Sequence, residues 1–260
     1  MKKLLAVMLS CLAIITFSNK DSYASTLDQS TDSSENYFNK GMDYYDSQNY
    51  TAALPLLTKA ANQGYAPAQY NLGLMYYHSQ AAEPDYSKAK YWFQKAADQG
   101  LANAQYNLGY MYYNGQPAEP DYSKAKYWFQ KAADQGYASA QLSLGNMYIN
   151  GQGVSQDYNK AKYWFQKAAN QGDAVAQYNL GLMYYRGKGV PQDYNKAKYW
   201  FQKAADQGYA SAQALLGDMY VLGQGVPQDY NKAKYWLQKA ADQGSAPAQS
   251  VLLSISNAGL

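Results

Sequence analysis

The chain has 260 residues, of which 16% are charged, and its 22 basic residues nearly balance its 19 acidic ones. Arg186 is the single arginine. A near-neutral chain with one arginine lacks the basic surface that phosphate backbones require, so nucleic acid is excluded as a partner.

The first residues have the layout of a secretory signal peptide. Lys2 and Lys3 precede the apolar run "LLAVMLSCLAIITF", and Ser22 and Ala24 place small residues at positions −3 and −1 of a cleavage site. The run is shorter than the roughly 20 apolar residues that a membrane span needs, which disfavours an uncleaved anchor. Lipoprotein processing at Cys11 is disfavoured because apolar sequence continues past it. The sequence therefore predicts cleavage after Ala24.

Removal of residues 1–24 has three consequences. It predicts a periplasmic or secreted protein, and it leaves no second apolar run long enough for a stable membrane span. It also removes the only cysteine, so the mature chain has no disulfide. Residues 25–35, "STLDQSTDSSE", are polar without periodic apolar positions and are expected to form a disordered linker.

The sequence after this linker repeats with a period of 36 residues. It is carried by a glycine at 73, 109, 145, 181 and 217 and by a tryptophan at 92, 128, 164, 200 and 236. A period in the 30s without an alternating strand pattern indicates stacked pairs of helices.

Residues 66–100 show the pattern of one unit. The first helix, helix A, is predicted over "APAQYNLGLMYY", with Gln69, Leu72, Gly73 and Tyr76 on the face that packs inward. A glycine inside a helix costs about 1 kcal/mol relative to alanine, so Gly73 indicates that another helix comes too close for a methyl group.

The second helix, helix B, is predicted to begin at Asp85, whose carboxylate can cap the free amides of the first turn. Trp92 and Phe93 are its main packing residues, and Gly100 is expected to end it in the left-handed conformation. Glycine-rich "GxGV" loops join the two helices in the last three units, whereas the first two units have "HSQAAEPD" and "NGQPAEPD".

This pattern closely resembles the Sel-1-like repeat, a relative of the tetratricopeptide repeat with a longer loop. The resemblance implies an all-α fold, a right-handed α-solenoid of stacked antiparallel helix hairpins. Residues 66–245 would form five repeats. Residues 36–65 would form an opening unit of ordinary tetratricopeptide type, and residues 246–260 a polar capping helix.

Catalytic and metal sites find little support in the sequence. His78 is the only histidine, and no cysteine remains to complete a metal site or a nucleophile–base pair, so no cofactor or metal is expected. Ser87 and Ser123 begin S-x-x-K strings, the serine motif of penicillin-recognising enzymes. Asparagine replaces this serine in the other units, and neither S-D-N nor K-T-G occurs. A β-lactamase-like or penicillin-binding enzyme is the disfavoured alternative.

The positions that vary between units are candidates for specificity. They form a second stripe on helix A, at spacing i, i+4, i+7, which we call the A stripe. In tetratricopeptide-like stacks the corresponding residues line the concave face that holds ligands. By that resemblance, the candidate partner-binding residues are Tyr70, Leu74, Tyr77, Tyr106, Tyr110, Tyr113, Asn146, Tyr178, Leu182, Tyr185 and Asp218. Tyrosine suits contact with a peptide or a glycan. Inter-repeat packing is the open alternative for these side chains.

A second set of tyrosines is expected on the outer side of helix B. This B ladder comprises Tyr91, Tyr127, Tyr163, Tyr199 and Tyr235, each flanked by lysines. It could stack on peptidoglycan or another glycan, or lysine stems could cover its rings.

The favoured function is an exported, non-catalytic scaffold that holds a protein or peptide partner. The resemblance to Sel-1-like proteins implies envelope assembly or host interaction as its setting.

Overall fold

The computed structural model describes residues 33–80 and 83–260. The predicted signal peptide, and the predicted linker up to residue 32, lie outside these residues. Within them the chain forms thirteen α-helices and no strand. The helices are α1 (Ser34–Asp46), α2 (Tyr50–Asn62), α3 (Ala66–Tyr77), α4 (Tyr86–Asp98), α5 (Ala102–Asn114), α6 (Tyr122–Asp134), α7 (Ala138–Asn150), α8 (Tyr158–Asn170), α9 (Ala174–Arg186), α10 (Tyr194–Asp206), α11 (Ala210–Leu222), α12 (Tyr230–Asp242) and α13 (Ala246–Asn257).

The helices pair into six hairpins, numbered 1 to 6 from α1–α2 to α11–α12. Odd-numbered helices are A helices and even-numbered helices are B helices. Each helix packs against the next one along the chain, and α11 also contacts α13. The predicted all-α solenoid of stacked helix hairpins is therefore confirmed. None of the helices in the described ranges is long and apolar enough to cross a bilayer.

The first helix starts earlier than the sequence predicts. Ser33 is its N-cap, and the side-chain hydroxyl accepts a hydrogen bond from the backbone N–H of Asn36 at 3.2 Å. Ser34 and Glu35 are consequently helical rather than part of a disordered linker. The sequence alone did not predict this start, because serine is common both at helix N-caps and in polar linkers.

The caps of the B helices follow the prediction. Asp85 precedes α4, and its Oδ1 accepts a hydrogen bond from the backbone N–H of Lys88 at 2.9 Å. This bond, together with the ammonium of Lys88, lowers the pKa of the Asp85 carboxyl. Gly100 follows the helix with φ +92°, as expected for a left-handed terminus. The same aspartate cap precedes α6, α8, α10 and α12.

The repeated glycine of the A helices permits close packing inside each hairpin. A Cβ atom on Gly73 would lie 2.6 Å from Cδ1 of Phe93. Phe93 is 1% exposed, and Trp92 beside it is also buried. The predicted close approach is confirmed, and the partner is the aromatic ring of the following B helix.

A buried glutamine joins successive hairpins. The Nε2 of Gln105 donates to the carbonyl of Ala97 at 3.1 Å, and its Oε1 accepts from Nε2 of Gln135 at 2.8 Å. The equivalent glutamines at 69, 141, 177 and 213 make the same bonds. Because a buried amide without partners is costly, this network specifies the register between hairpins.

Candidate functional site

The first tyrosine of the A stripe contacts the next hairpin. The ring of Tyr106 lies 5.7 Å from that of Phe129 in its own hairpin and 5.2 Å from that of Tyr137, which precedes α7. Tyr178 contacts Phe201 and Tyr209 in the same way, at 5.8 and 5.1 Å. These rings therefore pack in part between hairpins.

Burial also raises the pKa values of the first tyrosines of the A stripe. It raises the pKa of Tyr70 to about 12, although a hydrogen bond with Asn107 opposes the shift. Burial and the neighbouring Tyr137 raise the pKa of Tyr106 to about 12 as well. Both hydroxyls are protonated at any physiological pH and offer a ligand no charge.

The last tyrosine of the A stripe bridges two hairpins by a hydrogen bond. The hydroxyl of Tyr113 donates to Oε1 of Gln152, in the loop after α7, at 2.7 Å. The equivalent bonds are Tyr77 to Gln116 at 3.0 Å and Tyr185 to Gln224 at 2.7 Å. Tyr45 of hairpin 1, which lies outside the predicted stripe, donates likewise to Gln80 at 3.0 Å.

The middle position of the A stripe is exposed in hairpin 3. Tyr110 is 42% exposed, and its ring lies 6.3 Å from that of Tyr106. Leu74, at the same position of hairpin 2, is half-buried. Tyr110 is therefore the tyrosine of the stripe that presents the most surface.

The junction between hairpins 4 and 5 lacks the tyrosine–glutamine hydrogen bond found at the other junctions of the described hairpins. Ile149 stands where a bridging tyrosine is expected, and Lys188 stands where its glutamine acceptor is expected. At the other end of the stripe, Leu142 and Asp173 replace the tyrosine pair formed by Tyr106 and Tyr137.

A cleft of about 320 Å³ opens at this junction. Two predicted site residues, Asn146 and Leu182, line it together with Arg186 and Lys188. Nδ2 of Asn179 donates to Oδ1 of Asn146 across the cleft at 3.4 Å. The predicted binding residues did not include Arg186, Lys188 or Asn179. The isoleucine and lysine at the bridging positions indicate the cleft only once the tyrosine–glutamine bonds of the other junctions are known.

Asp218, the stripe residue of hairpin 6, lies on α11 and is half-buried. Burial raises the pKa of its carboxyl. No lysine or arginine of the described residues lies within ion-pair distance of it.

The B ladder is exposed and regular. Its five tyrosines are 52–54% exposed, and each ring lies edge-on to the neighbouring tryptophan at 4.8–4.9 Å. The lysine four residues later places its ammonium over the ring, as Lys131 does over Tyr127 at 4.9 Å. An ammonium thus lies 4.7–5.1 Å from the centroid of every ring, and each tyrosine is still more than half exposed.

The first serine motif lies at the start of a B helix. Ser87 is exposed on the first turn of α4, and the ammonium of Lys90 lies 4.1 Å from the ring centroid of Tyr112. His78 is the C-cap residue of α3 and packs edge-on against Tyr77 at 5.0 Å. The described residues contain no group of three histidine, cysteine, aspartate or glutamate side chains that could hold a metal ion.

The hairpin stack, its buried glutamine network and its variable stripe define an α-solenoid repeat protein. The Sel1 repeat family model matches residues 38–65, 66–101, 102–137, 138–173, 174–209 and 210–245. The chain therefore belongs to the Sel1 repeat family. The match includes hairpin 1, which the sequence predicted to be of ordinary tetratricopeptide type, so this hairpin is matched as a Sel1 repeat with a shorter loop.

Solved structures support this assignment. One similar structure is the protective antigen c5321 of uropathogenic Escherichia coli, which displays an SLR fold: it is 38% identical with a TM-score of 0.85 over 88% of this chain and 50% of that chain. This chain thus spans half the length of the antigen. A Sel1 repeat protein from Oxalobacter formigenes is 33% identical, with a TM-score of 0.77 over 84% of this chain and 87% of that chain. A search of curated proteins found no match.

Proposed function

We propose that this chain is an exported, non-catalytic scaffold that binds a protein or peptide partner along the A stripe, on the expected concave face. The Sel1 solenoid is an architecture typical of protein–protein interaction, because stacked repeats present one extended surface. The observation that carries the proposal is the contrast between constant and variable positions. Packing residues such as Gly109 and Phe129 recur in nearly every hairpin, whereas the residue at the position of Tyr110 changes from hairpin to hairpin and is exposed in hairpin 3.

The residues of the A stripe have separate roles in this proposal. Tyr77, Tyr113 and Tyr185 keep the hairpins in register through their hydroxyls. Tyr110 offers a broad ring with little rotamer entropy to lose on binding, as paratope tyrosines do. Its position beside the partly buried ring of Tyr106 would hold it in place for a partner.

Export and absence of catalysis are the further parts of the proposal. The apolar run and the small residues before Ser25 support cleavage after Ala24. Similarity to a protective antigen of uropathogenic E. coli supports a periplasmic or secreted location. Sequencing the N-terminus of the protein recovered from a bacterial periplasm tests cleavage, and covalent labelling by a fluorescent penicillin that is lost on S87A/S123A would overturn the non-catalytic part.

A photocrosslinker tests partner binding. Benzoylphenylalanine placed at Tyr110 should give a covalent adduct of defined mass in cells that express the protein. The same group at Tyr127, on the B ladder, is the matched control because Tyr127 is a comparably exposed tyrosine on the other helix type. Adducts from position 127 with none from position 110 would contradict the proposal.

The B ladder supports a second candidate function, binding of peptidoglycan or another glycan. The observation that favours this function is the row of tyrosines at 36-residue intervals, each of which is more than half exposed. Such rings can stack on sugars. Retention of the mature chain on purified sacculi, reduced in Y91S/Y127S/Y163S and unaffected in Y110S, would favour the ladder over the stripe.

A further inference from the structure

The cleft between hairpins 4 and 5 arises from two residues that break the bridging pattern. At each of the other four junctions of the described hairpins, a tyrosine hydroxyl from one A helix reaches a glutamine after the next A helix. Here Ile149 has no hydroxyl and Lys188 has no acceptor oxygen, so no such bond forms. Both residues of the changed pair, Ile149 and Lys188, line the cleft, as does Tyr158 on α8.

The lining of the cleft is basic and polar at its rim. Arg186 and Lys188 are both exposed, and neither an aspartate nor a glutamate is among the lining residues. The five ion pairs of the described residues all join a B-helix lysine to its capping aspartate, so the two cations have no carboxylate within 4.0 Å there. Lys188 instead lies 6.0 Å from the ring centroid of Tyr158.

Hydrogen-bond donors and apolar groups complete the lining. Nδ2 of Asn179 makes only the long 3.4 Å bond to Asn146 among the described residues, which leaves one of its two amide hydrogens available to a ligand. Ile149 and Leu182 supply apolar contact beside these donors. Neither Asp173, the N-cap of α9, nor Asp218 of hairpin 6 is among the residues that line the cleft.

We propose that this cleft binds a carboxylate of a peptide, with Arg186 as the principal donor, Lys188 as a second cation and Asn179 as a neutral donor. Guanidinium matches a carboxylate in a two-bond geometry, and ammonium adds a point charge. Ile149 and Leu182 contact the methylene groups next to the carboxylate. The inference deepens the proposed function and rests on it, since the peptide is taken to follow the A stripe.

The single arginine makes a direct test possible. Protein labelled with ¹⁵N-arginine gives one side-chain Nε–H signal, from Arg186, in an NMR spectrum of the mature chain. It is titrated with acetyl-Ala-Glu-Ala-amide, with acetyl-Ala-Gln-Ala-amide, and with acetyl-Ala-Ala-Ala that has a free C-terminal carboxylate. The glutamate peptide is expected to shift the signal saturably and to bind about ten-fold more tightly than its glutamine counterpart, the ratio that one charge-assisted contact supplies.

Two variants separate the cleft from general charge. I149Y/K188Q restores both residues of the bridging pair and keeps Arg186, and it should abolish the shift. K95Q removes one positive charge beside Tyr91 of the B ladder and should leave the shift of the Arg186 signal unchanged. A saturable shift from the free C-terminal carboxylate alone supports the carboxylate site and identifies a chain terminus as its source.

Equal binding of the glutamate and glutamine peptides, or no saturable shift from either carboxylate, would overturn the inference. The crosslink at Tyr110 keeps this failure distinct from that of the proposed function. If a partner is captured at Tyr110 but the carboxylate peptides give no response, the carboxylate-site inference fails and the proposed scaffold function stands. If the carboxylate peptides give a response but no partner is captured at Tyr110, the carboxylate site stands and the proposed scaffold function fails.

Discussion

The hydroxyl of Tyr113 donates a hydrogen bond to Oε1 of Gln152 at 2.7 Å and so joins helix α5 to the loop that follows α7. The two residues are 39 positions apart, which places the bond between neighbouring hairpins. A residue that sequence patterning assigns to ligand contact thus also contributes to the stack. We expect Y113F to lower the free energy of unfolding by about 1 kcal/mol, a typical net value for such a bond. Urea denaturation measures it. Y110F is the control, because the exposed hydroxyl of Tyr110 makes no hydrogen bond among the described residues.

The junction that lacks this bond should accept it. I149Y/K188Q is expected to raise the free energy of unfolding by about 1 kcal/mol, because a tyrosine ring fills the cleft and a hydrogen bond forms. K188Q alone should change stability little, since Lys188 is exposed and unpaired in the described residues. A double variant less stable than K188Q would show that hairpins 4 and 5 cannot adopt the spacing of the other junctions.

The glycine of the A helices should tolerate a methyl group less well while its aromatic partner is present. A Cβ on Gly109 would lie 2.7 Å from Cδ1 of Phe129. G109A is therefore expected to destabilise the wild-type protein by about 1–3 kcal/mol, the usual cost of overpacking. In the background F129A, the same change should cost less by about 1 kcal/mol or more, because the ring contact is gone while the 3.2 Å approach to the carbonyl oxygen of Ala125 remains.

That contrast requires a double-mutant cycle, with the four free energies of unfolding taken from urea titrations. Equal costs of G109A in both backgrounds would mean that the glycine serves the helix backbone rather than the contact with Phe129.

Asp218 should make stability depend on pH. Burial raises the pKa of its carboxyl above the ordinary value of 3.8, so the folded state binds this proton more tightly than the unfolded state. Its contribution to stability is present at low pH and is lost as the pH rises from 3.8 through the raised value. D218N removes the charge, so D218N should melt at a higher temperature than wild type at pH 7.

The difference between D218N and wild type should shrink as the pH falls to 4. The comparison must be a difference, because the capping aspartates such as Asp85 have lowered pKa values and lose their stabilising contribution as the pH falls. A melting-temperature difference that is constant between pH 4 and pH 7 would exclude the burial of Asp218 as its cause.

Much of the fold could be predicted from local sequence. The predicted helix string beginning at Ala66 coincides with α3, and Asp85 and Gly100 mark the ends of α4, because caps and left-handed glycines depend on neighbours in the chain. Ser33 was missed as a cap because it lies in a polar stretch that resembles a linker.

The candidate site could be predicted less completely. A helical wheel assigns Tyr106 and Tyr110 to one stripe but gives no account of the next hairpin, whose Tyr137 covers the first and leaves the second 42% exposed. The cleft depends on Ile149 and Lys188, which are far apart in sequence and become informative only once the tyrosine–glutamine bridges at the other junctions are known.

The central claim is that binding specificity lies in the exposed, variable positions of the A stripe rather than in the repeated scaffold. The most direct measurement takes the partner identified by crosslinking and compares its affinity for wild type, Y110S and the matched ladder variant Y127S, with melting temperatures for all three. The account predicts that Y110S weakens binding about ten-fold or more, the order of a lost aromatic contact, while its melting temperature stays close to that of wild type and Y127S binds normally. Normal binding by Y110S, or weakened binding that follows a matching loss of thermal stability, would contradict it.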